Sequence, residues 1–134
     1  MAPSPQARII TEAAPPFRVV HANAAWSRLC GYAAEEAIGQ EGLGFMQGEA
    51  TDRVAVRRIN AGVAGGERLD VTLVNYKKDG TPFLNRLRIT PLRSRSGEYT
   101  HMLGLLEEVP GAQAWCPTAR AGDGRDDDRA GGAA

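Results

Sequence analysis

The stretch Asn75-Tyr76-Lys77-Lys78-Asp79-Gly80-Thr81-Pro82-Phe83-Leu84-Asn85 decides the fold of this chain. On either side of Lys77 to Gly80, apolar and polar residues alternate, from Arg68 to Tyr76 before it and from Pro82 to Arg93 after it. Alternation at period two sends successive side chains to opposite faces of a strand. A glycine after an aspartate between two such runs supplies the positive φ that a tight hairpin turn needs. The stretch therefore reads as strand, turn, strand. Ser94 to Gly97 is a second turn and Tyr99 to Val109 a third long strand, which completes an antiparallel meander.

Upstream, the pattern changes. Arg8 to Thr11 reads as a short strand, broken by Pro15-Pro16, and Phe17 to His21 as a second. Ala24 to Leu29 is a short helix ended by Gly31. Ala34 to Ile38 is a further helical turn, with Glu35 and Glu36 placed to meet its positive N-terminal end. Glycines 42 and 44 leave Glu41 to Gln47 undecided between helix and loop. Thr51 is expected to cap a helix running to about Val63, which Gly65-Gly66 stops. Two strands, several short helices and a three-strand meander make an α+β domain with helices on one face of an antiparallel sheet.

Length and composition agree with one domain. The chain has 134 residues, 43% of them hydrophobic, with 16 Lys plus Arg balancing 16 Asp plus Glu. A net charge of zero argues against bulk nucleic acid or an anionic membrane surface as the partner. No apolar run approaches the ~20 residues of a membrane-spanning helix. Met1 to Gln6 does not read as a secretory signal. The cysteines, Cys30 and Cys116, are isolated, with no CxxC or His/Cys spacing for zinc, which points to a reducing, intracellular (cytoplasmic) location. The expected divisions are an N-terminal extension over 1–7, a domain over 8–109 and a disordered tail over 110–134. The tail is mostly Ala, Gly, Asp and Arg and holds too little apolar surface to offset chain entropy. Its Asp126 to Asp128 run reads as a solvated spacer, and Trp115 is its single large apolar side chain.

The meander carries one anomaly. Leu69, Val71, Leu73 and Asn75 share one face of their strand, and Phe83, Asn85, Leu87 and Ile89 share one face of the next. Both faces are apolar but for one asparagine, and the turn brings the two asparagines near each other. A buried amide without a partner costs about 1–3 kcal/mol, so the pair needs an explanation. Either the amides bond each other, the helix layer or a buried water, or they read the polar edge of a flat heteroaromatic ligand.

These residues resemble a known family. The Asn75 to Asn85 stretch is similar to the strand-turn-strand signature of LOV (light-oxygen-voltage) domains, the flavin-binding, blue-light-sensing branch of the PAS superfamily. His21-Ala22-Asn23-Ala24-Ala25-Trp26, then Gly31-Tyr32 and Glu35-Glu36-Ala37-Ile38-Gly39, resemble the N-terminal strand and helix pair of that family. Phe45-Met46-Gln47-Gly48, followed by Thr51-Asp52, resembles the end of the helix that carries its reactive cysteine, and His101 to Val109 its last strand. The resemblance covers about Arg8 to Val109. It implies a PAS fold, a five-stranded antiparallel sheet with short helices on one face, and a flavin site that includes Gln47, Asn75 and Asn85.

The departures fall on that implied site. In the family a segment of the type Asn-Cys-Arg-Phe-Leu-Gln-Gly supplies the photoactive thiol; here it reads Gly42-Leu43-Gly44-Phe45-Met46-Gln47-Gly48. Leu43 stands at the cysteine and Gly44 at a phosphate-binding arginine. Shifted by one, the cysteine position is Gly42, so no thiol is there in either register. A second phosphate-binding arginine falls at Asn60, and the glutamine of the last strand at Leu106. Cys30 lies in an earlier helix, where packing is the expected role. The resemblance thus implies no cysteinyl-flavin adduct and weak or absent FMN binding; two lost charge-assisted contacts are worth about 1.5–3 kcal/mol each. Arg57 and Arg58 offer partial replacement, and riboflavin, lacking the phosphate, loses less.

Two functions follow as expectations. One is a sensory or protein-interaction module that pairs with a protein partner or a second copy. Its surface would be the outer sheet face, where Val74, Tyr76, Leu84, Leu103 and Leu105 lie among Arg86, Arg88 and Glu107. The other is an atypical flavin photoreceptor signalling through flavin reduction. An enzyme is not expected. His21 and His101 sit on separate strands without a nucleophile pattern, no glycine-rich phosphate loop joins a strand to a helix, and Glu107 and Glu108 point to opposite faces.

Overall fold

A computed structural model describes residues 6–110. The elements run β1 (Ala7–Glu12), β2 (Val19–Ala22), α1 (Ala24–Cys30), α2 (Ala34–Ala37), a single 3-10 turn at Gly44–Met46, α3 (Arg53–Ala64), β3 (Leu69–Tyr76), β4 (Pro82–Arg93) and β5 (Tyr99–Glu108). The five strands form one antiparallel sheet in the order β2-β1-β5-β4-β3. The short helices cover its inner face, as the strand and helix pattern requires. Expectations placed on 1–5 and 111–134, including Trp115 and Cys116, lie outside the described residues.

Local chemistry explains each boundary. At the decisive turn, the Gly80 amide donates to the Lys77 carbonyl at 2.9 Å and the Thr81 amide to the Asp79 carboxylate at 2.9 Å. Gly80 has φ +91°, a conformation that needs no Cβ. The side chain of Asn23 accepts from the Trp26 amide at 2.9 Å and so caps α1. The same oxygen takes the Arg8 amide at 3.0 Å, while the Asn23 amide group donates to the Gln6 carbonyl. One asparagine therefore caps the helix and pins it to the start of β1. In α3, Ala55, Val56, Ile59, Gly62 and Val63 are buried, the spacing of one helix face. Gly62 lets that face approach β3, since a Cβ there would stand 2.5 Å from the Leu69 side chain.

Three expectations are corrected. The cap of α3 is Asp52, whose carboxylate accepts from the Val54 amide at 2.9 Å. Thr51 instead donates its hydroxyl to the Val74 carbonyl at 2.7 Å and accepts from the Gly48 amide at 3.0 Å. A distant acceptor wins it from the helix end. The second strand starts at Val19, because Phe17 has φ +61° and turns its buried ring inward. Val74 and Tyr76 are not open on the outer face: Val74 is buried, and the Ala50 amide donates to the Tyr76 hydroxyl at 2.8 Å. The loop from Gly48 to Thr51 clasps this end of β3.

Candidate functional site

The inner face of the meander holds the residues singled out by sequence. Asn75 and Asn85 are both buried, with Asn85 fully enclosed. In the register of the hairpin, Asn75 opposes Phe83 and Asn85 opposes Leu73, so the two amides sit on a diagonal of the same face. The Asn85 amide donates to the Asn75 side-chain oxygen at 2.9 Å. Asn75 passes a second bond on, donating to the Met46 carbonyl at 3.1 Å, and the Glu107 amide donates to the Asn85 oxygen at 3.2 Å. Of the two explanations left open by sequence, these bonds are those of the first. The amides tie β3, β4 and β5 to the segment that ends at Gln47.

Gln47 is half-buried and turned elsewhere. Its side-chain oxygen accepts from the Arg53 guanidinium at 3.0 Å, at the first residue of α3. Arg53 was not singled out by sequence; its signal is its spacing of six from Gln47 across a helix start. Arg57 and Arg58 lie exposed on α3, and Asn60 is half-buried there. Gly44 has nothing within 4 Å of where a Cβ would stand.

Below α3 the inner face opens into a cavity of about 30 Å³. Ile9, Thr11, Leu43, Ile59, Leu87 and Met102 are among its walls, with the bare backbone of Gly104 on β5. Leu43 reaches it from the loop before the 3-10 turn and is half-buried. Leu106 is buried in the core on β5 but is not part of the cavity wall, nor are Gln47, Asn75 and Asn85. The structure thus separates the five candidate residues into an amide knot, an Arg53-held glutamine, a core leucine and a half-buried one, of which Leu43 alone meets the cavity.

Of the remaining titratable candidates, only Cys30 is buried in the core. Cys30 is a buried free thiol in α1, and burial pushes its pKa up to about 12 against a smaller opposing pull from Lys77. Its backbone carbonyl accepts from the Lys78 amide at 2.9 Å, which docks the hairpin tip on α1. Lys78 also pairs with Glu36, and this bond, followed by one from the Ala33 amide, holds the Glu36 carboxyl below the usual carboxylate range. His21 is exposed, and His101 lies 3.0 Å from the neighbouring Thr100 hydroxyl. Among the described residues no group of His, Cys, Asp and Glu could hold a metal ion. Among them too, no helix is long and apolar enough to cross a membrane.

Comparison with known proteins points one way. Residues 8–109 match the sequence profile of the PAS domain. A blue-light-activated histidine kinase of Brucella canis is 39% identical over 85 residues, spanning 63% of this chain and 17% of the kinase. One from Rhizobium johnstonii is 39% identical over 90 residues, spanning 67% of this chain and 26% of the kinase. Among solved structures, a light-oxygen-voltage domain studied with a flavin analogue superposes with a TM-score of 0.75 at 35% identity, covering 81% of each chain. The light-state LOV domain of the blue-light photoreceptor Aureochrome1 gives 0.75 at 31% identity, covering 81% of this chain and 85% of that one. The chain spans about a fifth of the length of the curated relatives it matches.

Proposed function

This chain belongs to the PAS domain family, with LOV domains among its homologues, and we propose that it is a LOV-like sensory and protein-interaction module that forms no cysteinyl-flavin adduct and binds FMN weakly or not at all. The observation that carries this reading is the division of the inner face. Its amides are bonded to one another and to backbone, while the cavity apart from them is walled mainly by apolar side chains, with Leu43 at the cysteine position.

The residues present do not fit FMN. An adduct needs a sulfur beside the ring, and leucine has no nucleophile. Asn75 and Asn85 each donate one bond and accept one, with each other, the Met46 carbonyl and the Glu107 amide, so their amides are oriented by the protein itself. The two positions where the family places phosphate-binding arginines hold Gly44 and Asn60. Purification of the chain tests the reading. A colourless protein is expected, and a yellow protein carrying one flavin per chain refutes it.

One observation favours a second reading, an atypical flavin photoreceptor acting through flavin reduction: the solved LOV domains named above share 31–35% identity with this chain. Stoichiometric flavin that bleaches reversibly under blue light without a thiol adduct would establish it.

In either reading the output passes through the sheet face. The chain itself bonds to both sheet edges, more fully at β2 than at β3. On β2 the Val19 amide donates to the Gln40 carbonyl and the Gly39 amide to the Val19 carbonyl, each at 2.9 Å. On β3 the Thr51 hydroxyl occupies the Val74 carbonyl. Strand addition at β2 is therefore disfavoured. The half-buried Leu84, Leu103 and Leu105 remain for a protein partner or a second copy. The free thiol of Cys30 suits an intracellular setting.

A further inference from the structure

We propose that the cavity between α3 and the sheet is a binding site for small, uncharged apolar molecules. The proposal rests on the flavin-poor reading above, and names what the same space takes in place of a flavin.

The chemistry of the wall decides the class of guest. Ile9, Leu43, Ile59, Leu87 and Met102 supply hydrocarbon and a thioether, and Thr11 supplies the single side-chain hydroxyl. No charged side chain lines the space. A buried water needs two to four polar partners to stay, and a cavity lacking them remains dry. A polar or charged solute entering here would lose its hydration without replacement, at a cost of several kcal/mol. An apolar solute loses nothing of the kind and gains dispersion contacts from every wall. The amides that would otherwise attract a heteroaromatic edge lie off the wall and are bonded elsewhere.

Size and access narrow the class further. About 30 Å³ is some two to three times the ~10–15 Å³ of such space that a single water needs, so the guest is a small one, of the size of xenon or a short alkane. Two features of the chain keep the space open. Gly104 leaves the β5 wall bare: a Cβ there would stand 3.2 Å from Ile9 and 3.6 Å from Leu87, both wall residues. Leu43 is half-buried, on a loop between Gly42, at φ +84°, and Gly44, so the guest enters past a side chain that no helix or strand holds.

Xenon is the probe for the purified chain. Carbon-edited NMR spectra under rising xenon pressure are expected to show saturable shifts at the methyls of Ile9, Leu87 and Met102, with none at the exposed Val54. Leu43→Phe should abolish the shifts by plugging the entrance. Leu43→Ala should enlarge the space enough for benzene to raise the melting temperature, which it does not do for the parent chain. A colourless parent protein whose wall methyls do not move with xenon overturns the proposal and leaves the flavin-poor reading intact. Bound flavin at purification overturns both. Benzene failing to stabilise the folded Leu43→Ala variant also counts against the site.

Discussion

The Asn85 side-chain amide donates to the Asn75 side-chain oxygen at 2.9 Å, across β3 and β4 and inside the core. The pair is the inner counterpart of the exposed turn that joins the two strands. Removing one partner strands the other in a low-dielectric interior, where the cost of an unmet hydrogen bond is largest. Asn85→Leu should therefore destabilise the domain by about 1–3 kcal/mol in denaturant unfolding, because Asn75 and the Glu107 amide both lose a partner. Asn75→Leu combined with Asn85→Leu should cost less than the two single changes added. Strict additivity would show that the amides do not act as a unit.

Gly48 and Tyr76 define a second coupled pair. A Cβ on Gly48 would lie 2.3 Å from the Tyr76 ring. Gly48→Ala should destabilise by about 1–3 kcal/mol through overpacking. Adding Tyr76→Ala removes the ring and should make the alanine at 48 nearly neutral. A penalty of equal size in both backgrounds, read as melting temperature, would place the strain elsewhere.

Cys30 carries a pH dependence of known sign. Burial raises its pKa from 9.0 to about 12, so between those values the unfolded thiol is ionised and the folded one is not. The unfolded state then binds fewer protons, and stability falls as pH rises, by about 1.4 kcal/mol per unit for one such group. Below pH 9 the contribution is fully present. Unfolding free energies of the parent chain and of Cys30→Ala, measured across the alkaline range, should differ in slope by this amount. Parallel curves would remove the thiol from the account. In the folded protein the same thiol should react slowly with alkylating reagents at neutral pH.

Restoring the family's residues should restore flavin chemistry in a fixed order. Gly44→Arg with Asn60→Arg should raise FMN affinity by about 10- to 100-fold for each contact regained. Leu43→Cys added to them should yield a light-induced adduct with slow dark recovery. The adduct should be absent from the arginine variants alone. Titration of FMN into each variant, followed by absorbance before and after blue light, checks both steps.

The exposed pair of Arg86 and Asp70 offers a contrast. Its nitrogen and oxygen stand 2.7 Å apart, yet both side chains are about half exposed. Solvent screens such pairs, so Asp70→Asn should leave the melting temperature nearly unchanged. A larger loss would mean that the pair also positions the outer face of β3 and β4.

Local chemistry was enough to settle the three strands of the meander and their turns. Period-two alternation and the Asp79-Gly80 turn act within a few residues, so the hairpin and the shared face of Asn75 and Asn85 could be read from residue order, while the exact register came from the fold. Thr51 and Val74 show where that reading stops. A threonine beside a helix start reads as its cap, but the carbonyl that claims it lies 23 residues on, and only the folded chain brings the two together. Tyr76 alternates outward as expected, but a loop folded from upstream covers it. Gln47 looked ready for a ligand until Arg53 was placed against it. The identity of the side chain at position 43 was written in the order of residues. Whether it meets a cavity, and what that cavity can hold, depends on distances between α3, β1 and β5, because the space left between packed elements is a property of the whole assembly and of no single segment.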